Sequence, residues 1–92
     1  MFILISYDIP DDKRRTRLAK RLRNYGERVQ YSVFECNLTD KQLRQLRTEI
    51  GKIIKDAEDS VRIYRLCGGC VAQIVALGQA PPPQDDPVVY IV

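Results

Sequence analysis

Residues 2–22 read FILISYDIPDDKRRTRLAKRL, and the change of period inside this stretch decides the fold. Phe2 to Tyr7 is a run of β-branched and aromatic residues, the composition of a strand, and Asp8-Ile9-Pro10 ends it. Asp11 or Asp12 then caps a helix, where a carboxylate also meets the positive end of the helix dipole. The helix is predicted to run to about Asn24, with Gly26 placed to close it. Leu18, Ala19, Leu22 and Tyr25 share one arc at the 3.6-residue period, and this arc should pack on a sheet. Arg15 shares the arc but lies in the first turn, so it should point toward the Asp8 end of the strand.

Downstream, Arg28 to Leu38 (RVQYSVFECNL) is extended and rich in Val, Tyr and Phe. Thr39 opens a second helix with the capping box Thr39 to Gln42, and Leu43, Leu46, Ile50, Ile53 and Ile54 form its buried stripe. Ser60 to Leu66 and Val71 to Leu77 read as two more strands, joined by Cys67-Gly68-Gly69-Cys70 with Gly-Gly as a two-residue hairpin turn. GQAPPPQDDP is a stiff, proline-rich linker, and PVVYIV has the makings of a terminal strand. The expected division is a domain over residues 1–78, then a linker and C-terminal dimer strand over 79–92.

The order strand, helix, strand, helix, strand, strand points to an α+β, ferredoxin-like sandwich: an antiparallel sheet with two helices on one face. A strict version needs two strands between the helices. Residues 28–38 can supply a very short strand plus a longer one, or one bent strand. Phe2, Ile3, Leu4 and Ile5 are apolar on both faces, as is the run Val88 to Val92, and two helices cover only one face. A homodimer packed sheet to sheet, with the last strand added to the partner's sheet, is the simplest cover.

Composition narrows the function. Ninety-two residues make one small domain, and the absence of His removes most zinc-hydrolase and His-base chemistry. The short Phe2–Ile5 run is no membrane span or signal peptide, and three cysteines make no disulfide framework, so a cytoplasmic, soluble protein is expected. Charge is uneven. Between residues 13 and 30, Lys13, Arg14, Arg15, Arg17, Lys20, Arg21, Arg23 and Arg28 stand against Glu27 alone. That is +7 locally and −4 elsewhere in a chain of net charge +3. Such a density suits a phosphate backbone, whereas a merely solvated helix usually interleaves acids at i,i+4.

SYDIPDD (6–12) and RLAKRLRNYGERVQYSVFECNLT (17–39), followed by a capped helix and VRIYRL (61–66), closely resemble the CRISPR-associated protein 2 family. The resemblance covers roughly residues 1–66. It implies a homodimer of ferredoxin-like protomers that binds DNA or RNA and bridges dimers of the CRISPR-associated integrase. Family members are also described as metal-dependent endonucleases, a role disputed within the family. Carried over by position, Asp8 is the metal-binding residue and Tyr7 its neighbour, while Arg15, Arg17, Arg28 and Phe34 complete the implied catalytic site. Lys13, Arg14, Arg17, Lys20, Arg21 and Arg23 are the expected nucleic-acid contacts. Mg2+ or another divalent cation is the implied cofactor.

Chemically, metal-assisted phosphodiester cleavage needs hard oxygen ligands and a cation that keeps several waters. One Asp8 is sparse for that, and two copies across a dimer two-fold would make a credible site. Arg15 or Arg17 could stabilise charge building on phosphorus. The plainer reading of Asp8 is a turn residue, closing an Asx hydrogen bond before Pro10. The Cys67/Cys70 pair is either half a zinc site or two small residues flanking a turn. Tyr31, Phe34 and Tyr64 read as core in the absence of an RNA-recognition aromatic motif. Nuclease, non-catalytic adaptor and an RNA-recognition or small-ligand regulatory module remain as function classes.

Overall fold

The computed structural model describes residues 1–78. Its elements are β1 (Phe2–Asp8), α1 (Asp12–Leu22), β2 (Gly26–Gln30), β3 (Val33–Asn37), α2 (Asp40–Ile53), β4 (Ser60–Leu66) and a one-turn α3 (Gly68–Val71). The sheet is antiparallel between neighbours in the order β2-β3-β1-β4, the ferredoxin-like arrangement expected from the sequence. Both caps form as read. The Asp11 side chain accepts the Arg14 amide at 2.9 Å, and Thr39 and Gln42 make the reciprocal box.

Strand alternation sorts the two faces. Ile3, Ile5 and Tyr7 on β1, with Phe34 and Cys36 on β3, bury against Leu18, Ala19 and Leu22 of α1 and Leu43, Leu46, Ile50 and Ile53 of α2. Each fully buried aliphatic here contributes about 1.5–3 kcal/mol. The opposite face carries Leu4 between Glu35 and Tyr64, and Asp8 opposite Ser60. Leu4 is only partly buried and Tyr64 is exposed. Among the described residues neither α1 nor α2 covers that face.

Three local expectations are corrected. The segment between the helices is two five-residue strands, starting at Gly26 and separated by a turn at Tyr31-Ser32. Gly26 opens β2 and does not cap α1, which ends in a tightened turn as the amides of Asn24 and Tyr25 donate to the carbonyls of Arg21 and Leu22. Glycine is required there because a Cβ would stand 2.2 Å from the Glu35 carbonyl oxygen. Cys67-Gly68-Gly69-Cys70 makes no hairpin. A primed two-residue turn needs positive φ, whereas the only positive-φ glycine among the described residues is Gly78, and Cys67 instead caps α3. Residues 72–78 accordingly form no strand. The expected linker and terminal strand, 79–92, lie outside the described residues.

Candidate nucleic-acid interface

α1 presents two flanks. The flank toward α2 and the α2–β4 loop holds Arg14, whose Nε and Nη2 grip the two carboxylate oxygens of Asp59 at 2.8 and 3.1 Å. Nη2 also donates to Glu58 Oε1 at 2.9 Å. The Asp59 carboxylate has no solvent exposure, and the Lys55 amide donates to it as well, at 2.8 Å. Hydrogen bonding by Arg14 holds the Asp59 carboxyl below its ordinary range and pushes the guanidinium up. Lys55, and then Arg14, lower Glu58. Two turns on, Arg21 pairs with Glu49 at 2.7 Å, and the Tyr25 hydroxyl donates to the same carboxylate. Arg14 and Arg21, expected to contact nucleic acid, are therefore occupied within the chain.

The flank toward β2 lines a cleft of about 530 Å3 at the C-terminal end of β1. Arg15 and Lys20 from α1 and Arg23 from its C-cap meet Arg28 from β2 there, and Asp8 is the one acid in its wall. Among the described residues Lys20, Arg23 and Arg28 have no ion pair. Arg15 points as the sequence suggested: Nη1 donates to the carbonyls of Ile9 and Pro10 at 2.9 and 3.4 Å, and Nη2 pairs with Asp12. It both tethers the β1–α1 turn and adds charge to the cleft.

Beneath the cleft lie Tyr7 and Phe34, both buried, with ring centroids 6.3 Å apart. The Arg28 guanidinium sits 5.6 Å over the Phe34 ring, a cation–π contact that aims it. The Tyr7 hydroxyl donates to the Tyr31 carbonyl at 3.2 Å, and its amide to the Ser32 carbonyl at 3.1 Å. These bonds hold the β2–β3 turn against β1. Tyr7 and Phe34 thus position the site from below. The same turn leaves Tyr31 94% exposed at the rim, contrary to its assignment to the core. Arg17 is not brought to Asp8; it lines a separate hollow with Lys20, Arg21 and Asn24. Lys13 is exposed and lines neither.

The family model for CRISPR associated protein Cas2 matches residues 1–74. This chain belongs to the Cas2 family. The CRISPR-associated endoribonuclease Cas2 1 of Chloroflexus aurantiacus is 52% identical over the full length of both chains. The crystal structure of Streptococcus pyogenes Cas2 at pH 6.5 superposes with a TM-score of 0.76 at 34% identity, covering 85% of this chain and 100% of that one. A chain of a partial Cas6-RT-Cas1–Cas2 complex matches with a TM-score of 0.74 at 35% identity, covering 88% and 93%.

As a Cas2 chain, its donor set for a metal is narrow. Among the described residues no group of three or more Cys, Asp or Glu side chains could hold an ion. Asp8, exposed at the strand end, fits Mg2+ as a partial ligand, since that ion accepts one or two carboxylates when waters and phosphate oxygens fill the remaining positions. Sequence reasoning missed the Arg14–Asp59 lock and the exposure of Tyr31 and Tyr64, both read as core. The acid lies 45 residues from its cation, beyond any local pattern. The Tyr31 signal was present: Tyr31-Ser32 falls between two extended segments, GERVQ and VFECN, and Ser is turn-competent.

Proposed function

We propose that the chain serves CRISPR adaptation as a nucleic-acid-binding homodimer that cleaves phosphodiesters with a divalent cation held by Asp8 from two protomers. The observation that carries this reading is the cleft, in which unpaired cations from two elements converge beside a single exposed carboxylate. Lys20, Arg23 and Arg28 hold phosphates, and Arg15 keeps the β1–α1 turn, and with it Asp8, in register with them. Tyr31 offers a π-face on which a base can stack. The cation, when bound, supplies charge neutralisation at phosphate and a more acidic water. Support for the dimer comes from the sheet face that α1 and α2 leave uncovered, with Leu4, Val33 and Tyr64. The relative named an endoribonuclease supports RNA as a substrate.

The test compares wild type and Asp8→Asn on labelled RNA and DNA, with and without Mg2+. Asn keeps the size and removes only the charge, so cleavage should fall to background while dimerisation and binding stay near wild type. Equal cleavage by both proteins overturns the metal role of Asp8, and unfolding of the variant assigns it to the turn.

A second reading, a non-catalytic scaffold joining integrase to DNA, is favoured by the single acid in the cleft and by the likeness to a chain of a Cas1–Cas2 complex. Under it, Asp8→Asn supports spacer integration as well as wild type does.

A further inference from the structure

A pair of exposed thiols at the end of β4 has no part in the cleft. Cys67 caps α3, its Sγ accepts the Cys70 amide at 3.4 Å, and the two Sγ atoms lie 3.4 Å apart. Both are open to solvent, whereas the third thiol, Cys36, is buried. Gly68 and Gly69, between the pair, put no side chain in the way: a Cβ on Gly69 would come no nearer to Cys67 Sγ than 3.9 Å. A tetrahedral soft-metal site needs about four donors. Among the described residues no further Cys, Asp or Glu joins these two.

We propose that Cys67 and Cys70 form a reversible dithiol–disulfide site that exchanges with low-molecular-weight disulfides and thiols. The Cys67 thiolate attacks one sulfur of a small disulfide; that S–S bond breaks, releasing one small thiolate and leaving a mixed disulfide on Cys67. The Cys70 thiolate then attacks Cys67 Sγ and displaces the second small thiolate. Two cysteines are oxidised, one small disulfide is reduced, and the two cysteine protons end on the two released thiols.

The order of attack follows from the contacts. The Cys70 amide and thiol stabilise the Cys67 thiolate and lower its pKa, while the same contact raises Cys70. Burial and the Glu35 charge push Cys36 up to about 11, which leaves it inert. α3 packs on β4, an edge strand among the described residues, and buries Val71. Oxidation therefore clips the turn through which the chain leaves the sheet.

The full chain is equilibrated across a series of glutathione and glutathione disulfide ratios, acid-quenched, alkylated and analysed by intact mass and peptide mapping. The expected product has lost two hydrogens and links Cys67 to Cys70. Its fraction should rise from a tenth to nine-tenths over about a hundredfold change in [GSH]2/[GSSG], as a single two-electron couple requires. Cys70→Ser should stop at a glutathione adduct on Cys67, and Cys67→Ser should carry at least tenfold less adduct. Cys36 should react only after denaturation and so reports whether each variant is folded; if a variant unfolds, the wild-type series decides alone. A wild type that stays a dithiol throughout, that keeps stable adducts on both cysteines, or that cross-links only between chains overturns the proposal.

Discussion

On the α2-facing flank of α1, Arg14 and Arg21 end on Asp59, Glu58 and Glu49; on the β2-facing flank, Lys20 and Arg23 meet another cation, Arg28, and no acid but Asp8. The two flanks draw on one basic stretch, so composition does not distinguish them. What differs is the chain packed alongside. The α2 side brings acids and turns charge into tertiary lock. The β2 side brings more positive charge, a repulsion that a bound polyanion would relieve.

The cleft flank depends on β2 lying close to β3, and Gly26→Ala attacks this directly. The added Cβ meets backbone at 2.2 Å, so β2 must shift and carry Arg28 with it. A loss of roughly 1–3 kcal/mol in denaturant unfolding is expected, with weaker nucleic-acid binding. Gly51→Ala in α2, where nothing lies within 4 Å of the added carbon, should have the opposite sign and stabilise by about 0.5–1 kcal/mol. If both substitutions prove neutral, the close approach of β2 is not what seats the cleft.

The lock flank should show itself in acid. Asp59 and Glu58 have folded-state pKa values below those of the unfolded chain. Their contribution is therefore complete above the unfolded carboxylate pKa of about 4 and is lost as pH falls below it through the lowered folded values. The thermal midpoint should drop as pH falls below the unfolded carboxylate pKa of about 4, and Asp59→Asn should lower the midpoint at neutral pH and flatten that drop. An unchanged acid profile in Asp59→Asn breaks the assignment of this flank to stability.

A smaller effect is expected at the rim. Tyr31→Ala should weaken single-strand binding by about 1–3 kcal/mol and leave the salt dependence unchanged, because stacking neutralises no phosphate. Tyr31→Phe should bind as wild type. Equal weakening by both variants would assign the effect to the hydroxyl and not to the ring.

Legibility in the sequence followed the range of the interactions. The strand-to-helix switch at Asp8–Asp12, the Thr39 box and the stripes on both helices depend on neighbours within four residues, and the structure reproduces them. The helix arc points Arg15 toward Asp8 and the resemblance adds Arg28, and all three share one cleft. Gly26 was misassigned because a C-cap and a close strand approach both favour glycine, and only the contact with Glu35 distinguishes them. The fates of Arg14 and Arg21 were illegible because Asp59 and Glu49 are distant in sequence. Arg17 was grouped with Asp8 by resemblance, yet helical rotation turns it to another hollow.

A matched pair of double variants separates a flank of α1 that binds from a flank that locks. Lys20→Gln with Arg23→Gln removes the two cations on the cleft flank of α1 that have no ion pair among the described residues; Arg14→Gln with Arg21→Gln removes the two cations of the lock flank. For each, the slope of log K against log salt is measured on duplex DNA beside the thermal midpoint. Each phosphate contact contributes about 0.9 to the slope, so the cleft pair should lose up to about 1.8 with its midpoint nearly unchanged. The lock pair should keep the slope and lose midpoint. Equal slope losses in the two proteins, or a loss confined to the lock pair, would contradict the account.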